Sequence, residues 1–151
     1  MKRSTERELI FKLMFMSEFY EKKELGDELL LYFDAPFPFE EKEDDDAAPE
    51  ALSSLKESVN EDDRRRIVAR YVEIIDKFEE IDAKISEVSK GWTIDRIGKV
   101  ELAILRLAVY EILFDESIPT SVSINEAVEL AKKFGPQDSY SFVNGILARF
   151  A

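Results

Sequence analysis

Arg64-Arg65-Arg66 is the densest run of cations in the sequence, and three adjacent guanidiniums are the kind of group that neutralises phosphates. Glu61-Asp62-Asp63 stands directly before it, and cations at a helix N-terminus oppose the helix dipole. The residue types therefore predict a local ion-pair cluster there, and not a nucleic-acid site. Arg106 is the other isolated charge, set within Ile104-Leu105-Arg106-Leu107-Ala108. A guanidinium in such apolar surroundings is expected to pair with a carboxylate as structural support. The missing residue types exclude more than the present ones promise. Among 151 residues there is no Cys and no His. That removes thiolate nucleophiles, disulfides and thiolate metal sites, together with the usual proton-transfer group near neutral pH and the commonest metal ligand. No GxGxxG or GxxxxGKS/T phosphate cradle occurs. The sequence predicts a protein that is not an enzyme and calls for no cofactor or metal.

The net charge of −12 argues at first against a nucleic-acid partner, because counterion release needs a basic surface. Its distribution along the chain points the other way. Asp34 to Asp63 hold twelve acids against two lysines, which leaves 21 acids and 19 bases for the rest of the chain. Outside one acidic segment the protein is nearly neutral, with room for a local basic patch. The start, Met1-Lys2-Arg3-Ser4-Thr5-Glu6-Arg7, is charged, and the apolar run after it is broken by Lys12 and Glu18. That is not the pattern of a signal peptide. No stretch approaches the roughly 20 apolar residues of a membrane span. A cytoplasmic location away from membranes is expected.

These charges need elements to position them, and the pattern is helical throughout. At this length one domain is expected, or two small subdomains. Thr5-Glu6-Arg7-Glu8 has the form of a capping box, and Leu9, Ile10, Leu13 and Met14 then recur at helical spacing to about Tyr20. A short helix is predicted over Leu25–Phe33. Residues 35–60 carry Pro36, Pro38, Pro49 and the run Glu40-Glu41-Lys42-Glu43-Asp44-Asp45-Asp46. They read as a mobile acidic insertion, with a helical turn near Leu52–Val59. Two roles stand open for it: an inert solvated loop, or an acidic arm that screens a basic surface until RNA displaces it. One long helix is expected from Asp62 to Val88, stopped by Gly91, with Trp92 anchoring the crossing that follows. Glu101 to Phe114 is apolar nearly all round, the mark of a central helix. Ser123-Ile124-Asn125-Glu126 has the form of a second capping box, and Gly135 with Pro136 marks the junction of the last two helices. Gly145 is expected to allow close helix contact. The fold class is all-α, with about seven helices in two packed subdomains: residues 1–90 with the insertion, and residues 91–151.

Several blocks carry a resemblance. They are Trp92-Thr93-Ile94-Asp95-Arg96-Ile97, Ile104-Leu105-Arg106-Leu107-Ala108-Val109-Tyr110-Glu111-Ile112-Leu113, Ile124-Asn125-Glu126-Ala127-Val128-Glu129-Leu130-Ala131-Lys132-Lys133-Phe134-Gly135 and Phe142-Val143-Asn144-Gly145-Ile146-Leu147. In order and spacing they resemble the NusB family of transcription antitermination factors, and Arg7-Glu8-Leu9 to Phe15 resembles its first helix. Only the acidic stretch lies outside the likeness. The resemblance implies binding of boxA-like single-stranded RNA during ribosomal RNA transcription. It implies partners too: the ribosomal protein also called NusE, and a larger antitermination assembly on RNA polymerase.

Carried over by position, Lys2, Arg3 and Arg7 match the family's basic arm, although Ser4 and Thr5 stand where the family often has Arg. Lys132, Lys133, Phe134, Gln137 and Asp138 form a second RNA-binding candidate. There lysines meet phosphates, Phe134 stacks on an unpaired base and polar groups meet base edges. The other reading of that junction makes Phe134 core and Asp138 a helix cap. Lys99 and Glu101 match positions facing RNA and partner, and Phe15 and Glu18 are looser partner candidates. Two alternatives accompany this reading. One is a protein-binding adaptor of the same fold without RNA affinity. The other is a detached NusB-like RNA-binding domain of a ribosomal RNA methyltransferase, although here the chain runs only to Ala151. A homodimer that covers the RNA surface is a further possibility.

Overall fold

The computed structural model describes residues 1–18 and 59–151. The helix expected over Leu25–Phe33, and nearly all of the acidic insertion, lie outside the described residues. Six α-helices occur among those residues: α1 (Arg3–Ser17), α2 (Glu61–Asp76), α3 (Phe78–Val88), α4 (Lys99–Phe114), α5 (Thr120–Phe134) and α6 (Ser139–Leu147). Single 3-10 turns stand at Ile94–Arg96 and Ala148–Phe150. No strand occurs among the described residues, and the fold is all-α as the periodicity predicts. None of these helices is long and apolar enough to cross a membrane. The chain divides into two compact units, Met1–Tyr71 and Val72–Ala151, the division falling inside α2.

In the first unit, α1 begins two residues before the expected Thr5 cap. Lys2 is the extended residue that precedes it, with no side-chain cap, and the Glu6 N–H closes the first turn on the Lys2 carbonyl at 3.0 Å. Leu9, Ile10, Phe11, Leu13, Met14 and Phe15 are all buried. So is Lys12, whose ammonium lies 3.4 Å from Glu8 one turn earlier. A charge taken out of water needs such a partner.

Helix α2 has the side-chain cap that α1 lacks. The Asn60 Oδ1 accepts from the Asp63 N–H at 2.8 Å, a bond whose removal costs about 1 kcal/mol in typical helices. Two of the three arginines behind it, Arg64 and Arg66, are ion-paired, as their neighbours predict. Arg66 pairs with the buried Asp63 and lies 3.8 Å from Glu6, and Arg64 lies 3.8 Å from Glu61.

Tyr71, 2% exposed, closes this unit. Burial pushes its phenol up to about 12; the Ser17 hydroxyl opposes the shift and Glu18 adds to it. An unfolded phenol ionises near pH 10. The stability gained by keeping Tyr71 neutral is therefore whole below pH 10 and is lost as the pH climbs towards 12. Two pH units correspond to on the order of 2–3 kcal/mol. We expect urea midpoints to fall across that window in the wild type and to fall less in Tyr71→Phe. Parallel curves for the two proteins would contradict this.

The second unit is organised around α4, whose residues Leu102 to Glu111 are buried without interruption. Helices α3, α5 and α6 pack against it. The long helix expected from Asp62 to Val88 is in fact two, because the chain turns at Lys77. There the N–H bonds the Ile74 carbonyl three residues back at 3.0 Å. No Pro or Gly marks the break, which is accompanied by a tertiary contact: the Lys77 ammonium lies 4.5 Å from the centre of the Phe114 ring. Gly91 ends the α3 segment as expected, with φ +87° after Lys90 at +25°. Trp92 is half exposed rather than a buried anchor, its ring edge-on to Phe142 at 5.6 Å. The Arg149 guanidinium bonds the Val88 carbonyl, satisfying an orphan acceptor at the end of α3.

The expected second capping box is absent. Helix α5 starts at Thr120, after the extended Pro119. Ser123 is an interior residue whose hydroxyl donates to Glu111 Oε1 at 2.8 Å. The tertiary partner outcompetes the local one. Gly145 also departs from expectation, since a Cβ there would meet nothing within 4 Å. It lies on the outer face of α6, not in a helix contact.

Arg106 finds the carboxylate it requires on α3. Its Nε and one terminal nitrogen each donate to Asp82 at 2.9 Å, and its guanidinium lies 4.3 Å from the centre of the Phe78 ring. Asp82→Ala, which strands the buried guanidinium, should cost about 3 kcal/mol in urea denaturation. Adding Arg106→Met should restore most of that loss. A single variant as stable as the wild type would show the pair to be inert.

Candidate nucleic-acid interface

The connection between α5 and α6 is four residues long, Gly135 to Asp138, and its backbone is tightly specified. A Cβ on Gly135 would run into the Ser139 side chain and lie 2.8 Å from the Ala131 carbonyl oxygen. Glycine is needed there for space, since its backbone is extended and not left-handed. Asp138 is the left-handed residue, at φ +71°, a conformation Asp tolerates better than most. It occupies the cap position of α6, yet its side chain makes no capping bond. The Ser139 N–H bonds the Pro136 carbonyl at 3.0 Å, so α6 opens three residues beyond the proline. One turn of tertiary bonding fixes this end. Ser139 Oγ donates to Glu101 Oε1 at 3.0 Å, joining the first turn of α6 to the first turn of α4.

Among the residues singled out in this unit, Lys99, Lys132, Gln137 and Asp138 are exposed, and Lys133 and Glu101 are half exposed. Glu101 is thereby engaged inside the fold through Ser139. Lys132 lies 3.6 Å from Glu129, and Lys133 lies 5.6 Å from the centre of the Phe134 ring. Phe134 itself is 6% exposed; its ring is core. In the other unit Lys2 and Arg3 are exposed, Arg7 and Phe15 are buried, and Glu18 is half buried.

Sequence reasoning passed over Tyr140. It is 41% exposed on the first turn of α6, with the Lys132 ammonium 5.5 Å from its ring centre. The signal was present in the spacing. Ser139, Val143, Ile146 and Leu147 form the buried face of α6, and Tyr140 falls off that face.

The profile of the NusB family matches residues 4–151. The chain belongs to the NusB family. A relative from Agathobacter rectalis, named transcription antitermination protein NusB, is 44% identical over 151 residues, covering 100% of both chains. A solved structure of T. maritima NusB has a TM-score of 0.71 and 30% identity, covering 100% of this chain and 91% of that one. A solved complex of the antitermination factors NusB and NusE with dsRNA has a TM-score of 0.69 at 24% identity, covering 98% of this chain and 94% of that one. That last likeness is one of fold. As a NusB-family member the protein is an antitermination factor and not an enzyme.

Within this NusB-family chain, the burial of Phe134 has a measurable consequence. Phe134→Ala should destabilise the protein by about 3–5 kcal/mol, the usual cost of deleting a buried aromatic. In thermal melts it should behave as a folding variant. Full stability with a selective loss of RNA binding would place the ring on the surface instead.

Proposed function

We propose that this protein binds boxA-like single-stranded RNA together with a NusE-type ribosomal protein during ribosomal RNA transcription. It acts as one component of an antitermination assembly on RNA polymerase, in the cytoplasm. The observation that carries this reading is the identity along the whole chain to a relative named as an antitermination protein. The common fold with a NusB of the NusB–NusE–dsRNA complex supports the choice of partners. Exposed Lys2 and Arg3 in one unit, and Lys99 and Lys132 in the other, supply cations for phosphates. Gln137 and Asp138 supply polar groups for base edges. Lys133 adds charge beside them, while Arg7 and Phe134 act from within the fold, supporting the elements that carry the exposed groups. Glu18 and Glu101, half buried, with the buried Phe15 of α1, are the partner-binding candidates.

The adaptor reading keeps two observations in its favour: the chain carries net −12, and Ser4 and Thr5 thin its basic arm. Fluorescence anisotropy with boxA-like and scrambled RNA, with and without the NusE-type protein, separates the two. We expect specific binding that strengthens with the partner. If four cations meet phosphates, the slope of log K against log salt is about −3, and affinity falls about fiftyfold between roughly 50 and 200 mM salt. RNA that adds no affinity to the protein pair at low salt would establish the adaptor instead. A sizing column run beside it shows whether a homodimer competes with RNA.

A further inference from the structure

We infer that Tyr140 is the stacking platform for one unpaired base, with Lys132 placed to meet a phosphate beside that base. This rests on the RNA-binding reading above and adds to it the group that holds the base. Base recognition on single strands needs an accessible aromatic face, because stacking on a ring contributes as much as any polar contact. Phe134, the aromatic that the sequence offers at this junction, has no such face, being 6% exposed. Tyr140 has one: it is 41% exposed and begins the turn next to the exposed Gln137 and Asp138.

Three features make it more than a solvated side chain. The Lys132 ammonium lies 5.5 Å from the ring centre, so the cation and the ring come from different helices and meet across the connection. Lys132 is itself about half exposed, and its ion partner at 3.6 Å is the exposed Glu129, so its charge is accessible to a phosphate. The neighbour of Tyr140 in sequence, Ser139, is bonded to Glu101 at 3.0 Å and is buried. The ring therefore rises from a fixed backbone, and little freedom remains to be lost when a base settles on it. A tyrosine offers a broad apolar body with a polar tip that remains wetted, which suits a face that must wait in water.

The test is RNA binding by the full chain with the NusE-type partner, using boxA-like RNA carrying 2-aminopurine at successive positions. Tyr140→Leu and Tyr140→Ala should weaken binding about tenfold, and Tyr140→Phe by no more than about twofold. None of these Tyr140 changes should alter the salt slope, whereas Lys132→Ala should reduce it by about 0.7. One 2-aminopurine position should be quenched by the wild type and by Tyr140→Phe, and not by Tyr140→Leu. Unchanged melting of Tyr140→Phe and Tyr140→Leu excludes a folding cause. If the wild type binds RNA and Tyr140→Leu binds equally, with the same quenching, the stacking role is overturned while the RNA reading stands. If the wild type binds no RNA, both fall. If Tyr140→Leu weakens the protein partner in the absence of RNA, the ring belongs to a protein surface and the inference is overturned.

Discussion

Helix α4 is apolar on nearly every side, and a helix of that kind must be covered on every side. Apolar complementarity sets much of the rotation and register, and polar pairing helps to choose among close alternatives. The polar groups of α4 supply that pairing. Glu101 accepts from Ser139 on α6, Arg106 donates to Asp82 on α3, Tyr110 donates to Glu73 near the end of α2, and Glu111 accepts from Ser123 on α5. Four polar groups reach four different helices. Arg106, Tyr110 and Glu111 are buried and costly to leave without a partner, so packing that satisfies them is preferred over its neighbours. The arrangement of the second unit rests on this set together with the packing of its core.

The surface chemistry hangs from the same set. The Ser139–Glu101 bond that helps to place α4 also fixes the start of α6, and the exposed groups Gln137, Asp138 and Tyr140 flank Ser139. Charge is unevenly spread along the sequence. Twelve of the acids lie between Asp34 and Asp63, while Arg64 and Arg66, which follow that segment, are paired with Glu61, Asp63 and Glu6. The lysines of α5 and the start of α4 lie far along the chain from it.

Much of this was legible in the residues. The all-round apolar run of α4, the helical periods and the stop at Gly91 follow from pattern alone. Arg106 was expected to take a carboxylate, though nothing local identifies Asp82, 24 residues away. The failures share a cause. Ser123 has the form of a cap, but its hydroxyl is claimed by Glu111 from another helix, and sequence windows do not contain that competitor. The break at Lys77 carries no helix-breaking residue and coincides with a contact to Phe114, again from elsewhere. Phe134 and Tyr140 were distinguishable in principle: Phe134 continues the buried row of Ala127, Leu130 and Ala131, whereas Tyr140 lies beside the row of α6. Helical phase, and not chemical type, separates the buried ring from the exposed one, in line with the core reading of Phe134 that the sequence left open.

The short joint between the last two helices also limits how this molecule can change over time. Its length is pinned at both ends, by a glycine with no room for a methyl group and by an aspartate in a left-handed turn. Dropping or inserting one residue there would change the span between Gly135 and Ser139, and so would strain either the Ser139–Glu101 bond or the seating of Val143, Ile146 and Leu147 in the interior. Drift at this joint is thus directed to the side chains of Pro136 and Gln137 while the count stays at four, so the exposed groups there can change without moving the frame that presents them.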